Sequence, residues 1–171
     1  MKPAPFDYVR AESLDEALYV LGREGGDARV IAGGQSLMPM LNMRLAKPRV
    51  LVDIMRLGEL AKIDGVASAV TVGASVRQAA LLAWRELEAR LPMIALGLPL
   101  AGHAQTRSRG TVCGSIAHAD PSAELPLILL ALSGEVHLRS RKRRRAGLLR
   151  WHDGNDPRRR RVDRSRFVSS G

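Results

Sequence analysis

Two glycine-bearing segments far apart in the chain constrain its fold more than any other feature: Ala32-Gly33-Gly34-Gln35-Ser36-Leu37 and Arg109-Gly110-Thr111-Val112-Cys113-Gly114-Ser115-Ile116-Ala117-His118-Ala119-Asp120-Pro121. Glycine has no β-carbon to block a close approach and tolerates positive φ, so successive main-chain N–H groups can converge on an anion. Hydroxyls close both segments: Ser36 in the first, Thr111 and Ser115 in the second. A Gly-Gly pair alone reads as an ordinary tight turn. Two such segments in one small protein point to a ligand with more phosphate oxygens than one loop can satisfy, a pyrophosphate and hence a dinucleotide. The fold must therefore bring the two segments to one cleft, within one domain or between two small lobes, and 171 residues allow either.

Charge first suggests another partner. The net charge is +10, but residues 1–138 hold fourteen basic and fourteen acidic side chains, and residues 139–171 hold the remaining thirteen basic residues against three acidic ones. The body is neutral and the tail carries the excess. A nucleic-acid-binding protein is thus supported by the tail alone and opposed by a neutral body in which aromatics make up 4% of the residues, few for base stacking. Cys113 is the sole cysteine, which excludes an internal disulfide and any multi-thiolate zinc or iron–sulfur site. His103, His118, His137 and His152 show no ligand spacing, so no metal site is expected. No run approaches a signal peptide or a membrane span, and a cytoplasmic location is the default expectation.

Ser13-Leu14-Asp15-Glu16 has the form of a capping box, followed by Leu14, Ala17, Leu18 and Leu21 at helical spacing and Gly25-Gly26 as a stop. Residues 28–32 read as a buried strand entering the first glycine segment. Leu37 to Leu45 reads as a short helix with Pro39 in its first turn, closed by Pro48. Val50 to Ile54 reads as a strand. Leu60–Ile63 and Ala69–Val72 read as a hairpin around Asp64-Gly65. Val76 to Leu91 is an Ala/Leu-rich helix ended by Pro92, Asp120 is placed to cap a helix beginning at Pro121, and Glu135 to Leu138 is a strand. This organisation implies a first lobe over residues 1–56 and a second over 57–140. Met38, Met40 and Met43 most simply fill the core or the lobe interface, and Cys113 is a small filler without a resolving partner.

Beyond Arg139 the periodicity is lost, and residues 141–171 contain Arg141-Lys142-Arg143-Arg144-Arg145 and Arg158-Arg159-Arg160-Arg161. Like-charge blocks of this kind repel themselves. Three readings stay open: a disordered or non-native end, a polyanion-binding arm, or a change of reading frame near Ser140.

Pro5-Phe6-Asp7-Tyr8, the capped helix, the Ala32 to Leu37 segment, Leu51-Val52-Asp53-Ile54 and the Arg109 to Pro121 segment, in this order and spacing, resemble the FAD-binding medium subunit of molybdenum hydroxylases, as in aerobic carbon monoxide dehydrogenase and the flavin domain of xanthine dehydrogenase. The resemblance implies an α+β fold, a two-lobed FAD-binding domain of the vanillyl-alcohol-oxidase (PCMH) type, with the family's C-terminal domain absent. The chain has no G-x-G-x-x-G fingerprint after an early strand, in keeping with that fold. By the same resemblance, Arg29, Val30, Ile31, Ala32, Gly33, Gly34, Gln35 and Ser36 form the first pyrophosphate-contacting segment. Thr111, Gly114, Ser115 and His118 form the second, with Asp120 and Glu124 accepting hydrogen bonds from flavin-chain hydroxyls or holding the loop. Cys113 stands where the family most often has glycine, and Ser108 where it has asparagine. None of these residues is a catalytic acid or base, because the flavin carries the chemistry. The implied role is electron transfer from iron–sulfur clusters through FAD to NAD, a quinone or oxygen. The implied partners are a molybdenum-cofactor large subunit and a two-iron, two-sulfur small subunit. A shortened remnant of such a subunit, folding in part and neither holding FAD nor assembling, is the alternative.

Overall fold

The computed structural model describes residues 2–66, 69–138 and 148–152. The N-terminal part opens with strand β1 (Asp7–Arg10) and helix α1 (Leu14–Glu24). The Ser13 hydroxyl accepts a hydrogen bond from the Glu16 N–H at 3.1 Å, and the Glu16 carboxylate reaches back to the Glu12 N–H at 2.7 Å. The first bond occupies a donor that a helix start leaves open, and the second ties the residue before the cap to the first turn. Gly25 ends α1 with φ +56°, its N–H donating to the Leu21 carbonyl. Strand β2 (Ala28–Ile31), helix α2 (Leu37–Asn42) and strand β3 (Val50–Asp53) follow. The three strands form a parallel sheet in the order β1-β3-β2.

β3 lies in the middle of that sheet, and Val50, Leu51 and Val52 are buried. β2 was expected to be buried and is instead an edge strand. Ala28 alone is buried, Ile31 is half-buried, and Arg29 and Val30 are exposed. The tyrosine of β1, Tyr8, donates to the Asp53 carboxylate across the sheet. That bond, foremost, raises the Tyr8 pKa above the ordinary phenol value. Helix α2 is shorter than the sequence implied, because the backbone turns left-handed at Arg44, with φ +58°.

The second part is an antiparallel sheet with helices against it. Strands β4 (Ile63–Val66) and β5 (Ala69–Gly73) pair with Ile63 opposite Val72 and Val66 opposite Ala69. Asp64 and Gly65 therefore lie within β4, opposite Thr71 and Val70, rather than at a turn. Leu60 falls in the 3-10 turn Gly58–Leu60. The expected helix over 76–91 is two: α3 (Gln78–Leu82) and α4 (Leu87–Arg90). Leu81, Leu87 and Leu91 are all buried. Residues six apart on an unbroken helix fall on different faces, so the turn at Ala83–Glu86 is what lets Leu81 and Leu87 share one core. Pro92 opens α5 (Pro92–Gly97) at its first turn, where its missing N–H costs nothing.

Helices α6 (Ala104–Arg109), α7 (Val112–His118) and α8 (Glu124–Ala131) lead to strand β6 (Glu135–His137). α8 starts three residues later than Asp120 as its cap would require. The Asp120 carboxylate instead accepts from the Ser122 N–H at 2.8 Å and the Ser122 hydroxyl at 2.7 Å, and Ala123 takes the cap position. Strand β7 (Leu148–His152) lies within the stretch that read as a patternless tail. It pairs antiparallel with both β5 and β6, giving the order β4-β5-β7-β6. Both arginine blocks, 141–145 and 158–161, lie outside the described residues.

Two hydrophobic clusters correspond to the two sheets. One gathers Ala11, Leu14, Ala17, Val20, Val52 and their neighbours as far as Leu60, and the other gathers Val70, Leu81, Ile94, Leu98, Val112 and Leu125. Where they adjoin, the backbone is too close for side chains: a Cβ on Gly73 would stand 2.1 Å from the Leu60 carbonyl oxygen.

Candidate functional site

The first glycine segment leaves the C-terminal end of edge strand β2 and enters α2, a position where chain direction changes and main-chain amides are left without ladder partners. Gly34 takes φ +69°, a conformation that glycine adopts freely. The Met38 N–H returns to the Gly34 carbonyl at 2.9 Å, and the Gln35 side-chain amide donates to the Gly33 carbonyl at 3.1 Å. Among the described residues, the N–H groups of Gly33, Gly34, Gln35 and Ser36 donate to no protein acceptor. Three of these four residues, with Ile31, Ala32, Met38, Pro39, Asn42 and Arg109, line an open cavity of about 380 Å³.

The second segment reaches the same place. A Cβ on Gly33 would lie 2.3 Å from the Arg109 carbonyl oxygen and 2.7 Å from the Gly110 α-carbon. The two segments thus touch through backbone, and only glycine fits at position 33. Gly110 is held from the other side. Its carbonyl accepts from the Gln78 N–H at 2.9 Å, and the Val112 N–H donates to the Val76 carbonyl at 3.0 Å, around a bridge between Arg77 and Thr111. The Gln78 side-chain nitrogen and the Gln35 side chain both flank the bare face of Gly110.

Past Gly110 the segment is helix rather than open loop. Buried Thr111 caps α7, its hydroxyl accepting from the Gly114 N–H at 3.0 Å. A Cβ on Gly114 would stand 2.5 Å from that hydroxyl oxygen, so the cap and the glycine require each other. The Cys113 thiol points back to β5, donating to the Gly73 carbonyl at 3.5 Å. Ser115 is half-buried on α7, His118 is exposed in its last turn, and Ala119 is left-handed with φ +54°. The Ser122 N–H bond, above all, holds the Asp120 carboxyl below the usual carboxylate range. Glu124 is the half-buried first residue of α8.

Of the residues singled out from sequence, Ile31, Ala32, Gly33, Gly34 and Gln35 share the cavity wall. Ser36 stands beside it at the start of α2. Arg29 turns back to the Gly26 and Ala28 carbonyls, and Val30 lies exposed on β2. Thr111, Gly114, Ser115, His118, Asp120 and Glu124 lie on α7, on its cap, on the turn after it and at the start of α8, and are not among the cavity-lining residues. Met38, Pro39, Asn42 and Arg109 line the cavity without having been singled out as site residues. The sequence signal for Arg109 was its place directly before Gly110. Met38, expected to fill the core or the lobe interface, is 37% exposed and lines the cavity. Among the described residues no cluster of His, Cys, Asp and Glu could hold a metal ion, and no helix is long and apolar enough to cross a membrane.

A polar cradle of main-chain donors unpaired among the described residues, flanked by two backbone segments too close to admit a Cβ, fits a phosphorylated cofactor. Fold and site together define a two-lobed α+β domain for a phosphorylated cofactor, and the family match makes it a flavin-binding domain of the vanillyl-alcohol-oxidase type with FAD as that cofactor. Residues 4–168 match the family described as the FAD binding domain in molybdopterin dehydrogenase, and the chain belongs to that family. It is 46% identical over 140 residues to the 6-hydroxypseudooxynicotine dehydrogenase complex subunit alpha of Paenarthrobacter nicotinovorans, covering 82% of this chain and 47% of that protein. Identity to the carbon monoxide dehydrogenase medium chain of Hydrogenophaga pseudoflava is 38% over 145 residues, 85% of this chain and 50% of the relative. The chain thus spans about half the length of the curated relatives it matches. Among solved structures, carbon monoxide dehydrogenase from Hydrogenophaga pseudoflava superposes with a TM-score of 0.85 at 33% identity, covering 90% of this chain and 61% of that one. Quinoline 2-oxidoreductase from Pseudomonas putida 86 gives 0.84 at 32% identity with the same coverage.

Proposed function

We propose that this chain holds FAD with its pyrophosphate in the cavity between the Ala32–Ser36 segment and Arg109–Gly110, and serves as the electron-transfer flavin unit of a cytoplasmic molybdenum-containing hydroxylase or dehydrogenase. The observation that carries this reading is the row of four main-chain N–H groups, Gly33 to Ser36, without acceptors among the described residues, beside a cavity that both glycine segments wall. When bound, FAD supplies the redox chemistry, accepting electrons from iron–sulfur clusters of a partner and releasing them to NAD, a quinone or oxygen. The chain's own part is to bind and orient. Gly33 and Gly34 admit the phosphates to the backbone, Gln35 braces the loop through the Gly33 carbonyl, and Ser36 offers a hydroxyl at its edge. In this reading Ile31 and Ala32 support the loop from β2, with Arg29 and Val30 further back on that strand.

Thr111 and Gly114 fix the start of α7, and in this reading Ser115, His118, Asp120 and Glu124 serve contacts beyond the pyrophosphate. No protein acid or base is needed for the chemistry. The partners in this proposal are a molybdenum-cofactor large subunit and a two-iron, two-sulfur small subunit. The test is to load the chain with FAD, combine it with the large and small subunits of such an enzyme, add that enzyme's substrate, and follow the flavin band anaerobically. Bleaching that requires both partners supports the role. A bound flavin that stays oxidised while the partners' iron–sulfur bands bleach refutes the electron-transfer assignment and leaves FAD binding standing.

A further inference from the structure

A pyrophosphate brings formal negative charge that main-chain dipoles only partly offset. Of the nine described residues lining the cavity, Arg109 alone is charged. It stands in the last turn of α6 with Arg107, and the two differ in what they do. The Arg107 guanidinium donates to the Gly102 carbonyl at 2.7 Å and the Ala101 carbonyl at 3.2 Å, tying down the turn before α6. The Arg109 guanidinium has no hydrogen bond or ion pair among the described residues and is exposed to solvent. Among the described residues no carboxylate lines the cavity to compete for it. Its backbone is fixed, because the Arg109 carbonyl abuts Gly33 and the next residue is bonded to Gln78. A cation unpaired among the described residues, carried by a backbone fixed beside a row of N–H donors, is arranged to receive a charged ligand.

We infer that Arg109 is the counter-charge for the cofactor's diphosphate, the side chain by which this cavity selects a diphosphate-bearing nucleotide over an uncharged flavin. The inference rests on the FAD reading above for the ligand's identity, but the charge selection belongs to the cavity itself. Because the side chain is exposed, the attraction is screened by salt.

The experiment uses the full chain with three probes: FAD, ADP, which carries a diphosphate without flavin, and riboflavin, which carries flavin without phosphate. Dissociation constants are measured for wild type, R109Q and R109K at low and high ionic strength. Losing a charged hydrogen-bonding partner weakens FAD and ADP by about tenfold or more in R109Q. R109K recovers most of that loss, riboflavin is unaffected, and the salt dependence of ADP binding is shallower in R109Q than in wild type. Equal affinity of R109Q and wild type for FAD and ADP overturns the inference while the FAD reading stands. Equal weakening of all three probes also overturns it, since the residue would then only support the loop. A folded wild-type chain that binds ADP but not FAD refutes the flavin reading alone, and one that binds neither refutes both.

Discussion

Gly33 is the position where fold and site depend on one another most directly, and Gly33→Ala tests that dependence. The added Cβ would meet the Arg109 carbonyl oxygen at 2.3 Å, the Arg109 carbonyl carbon at 2.9 Å and the Gly110 α-carbon at 2.7 Å. All three are backbone atoms, so no side chain can rotate away. To reach ordinary contact the two segments must separate by roughly 1 Å, which in a close-packed interior is an overpacking strain of about 1–3 kcal/mol. If that strain falls on cofactor binding, the dissociation constant for FAD rises roughly 5- to 150-fold. If it falls on the unliganded protein, its midpoint drops by about 2–12 °C for a chain of this size. FAD titration by flavin fluorescence, paired with thermal unfolding of the unliganded chain, reads both. Gly58→Ala is the control, because nothing lies within 4 Å of the Cβ it would add. G33A with wild-type FAD affinity and wild-type melting temperature would refute the claim that the segments are in contact.

Two further perturbations bear on the second segment. Thr111→Val removes the hydroxyl that accepts from the Gly114 N–H inside a buried cap, and thermal unfolding should show a loss of about 1–2 kcal/mol with secondary structure retained. Asp120 is held below the usual carboxylate range by Ser122, so its contribution is present above that range and lost as pH falls through the depressed value. The melting temperature of D120N should therefore lie below wild type at neutral pH, with the two curves converging in strong acid. A gap that persists in acid would contradict the assigned cause.

What was legible in the sequence was local. Ser13 and Glu16 state the start of α1 in four residues, Val50 to Asp53 is apolar enough to be a central strand, and Gly33-Gly34 announces a turn that presents amides. What was hidden depends on partners distant in the chain. Whether Val30 is covered is decided by β3 taking the middle of the sheet, and the position of Asp64-Gly65 by a register set from β5. The break between α3 and α4 follows from the need to bury both Leu81 and Leu87 in one core. β7 was obscured by the arginine-rich composition around it, although β5 and β6 pair with it on either side. In the site, the residues quoted for the first segment come together because they are contiguous. Arg109 joins them only through the contact between Gly33 and the end of α6, a juxtaposition that no local pattern encodes.

The most direct test of the account is to incubate the purified full chain with FAD, pass it through gel filtration, and record the visible absorption of the protein peak, with the flavin identified after heat release. The account predicts flavin bands that travel with the protein and FAD as the released compound, in a ratio approaching one per chain. A peak that is folded by circular dichroism yet colourless would contradict it, because the free amides of Gly33 to Ser36 would then have no flavin dinucleotide to serve.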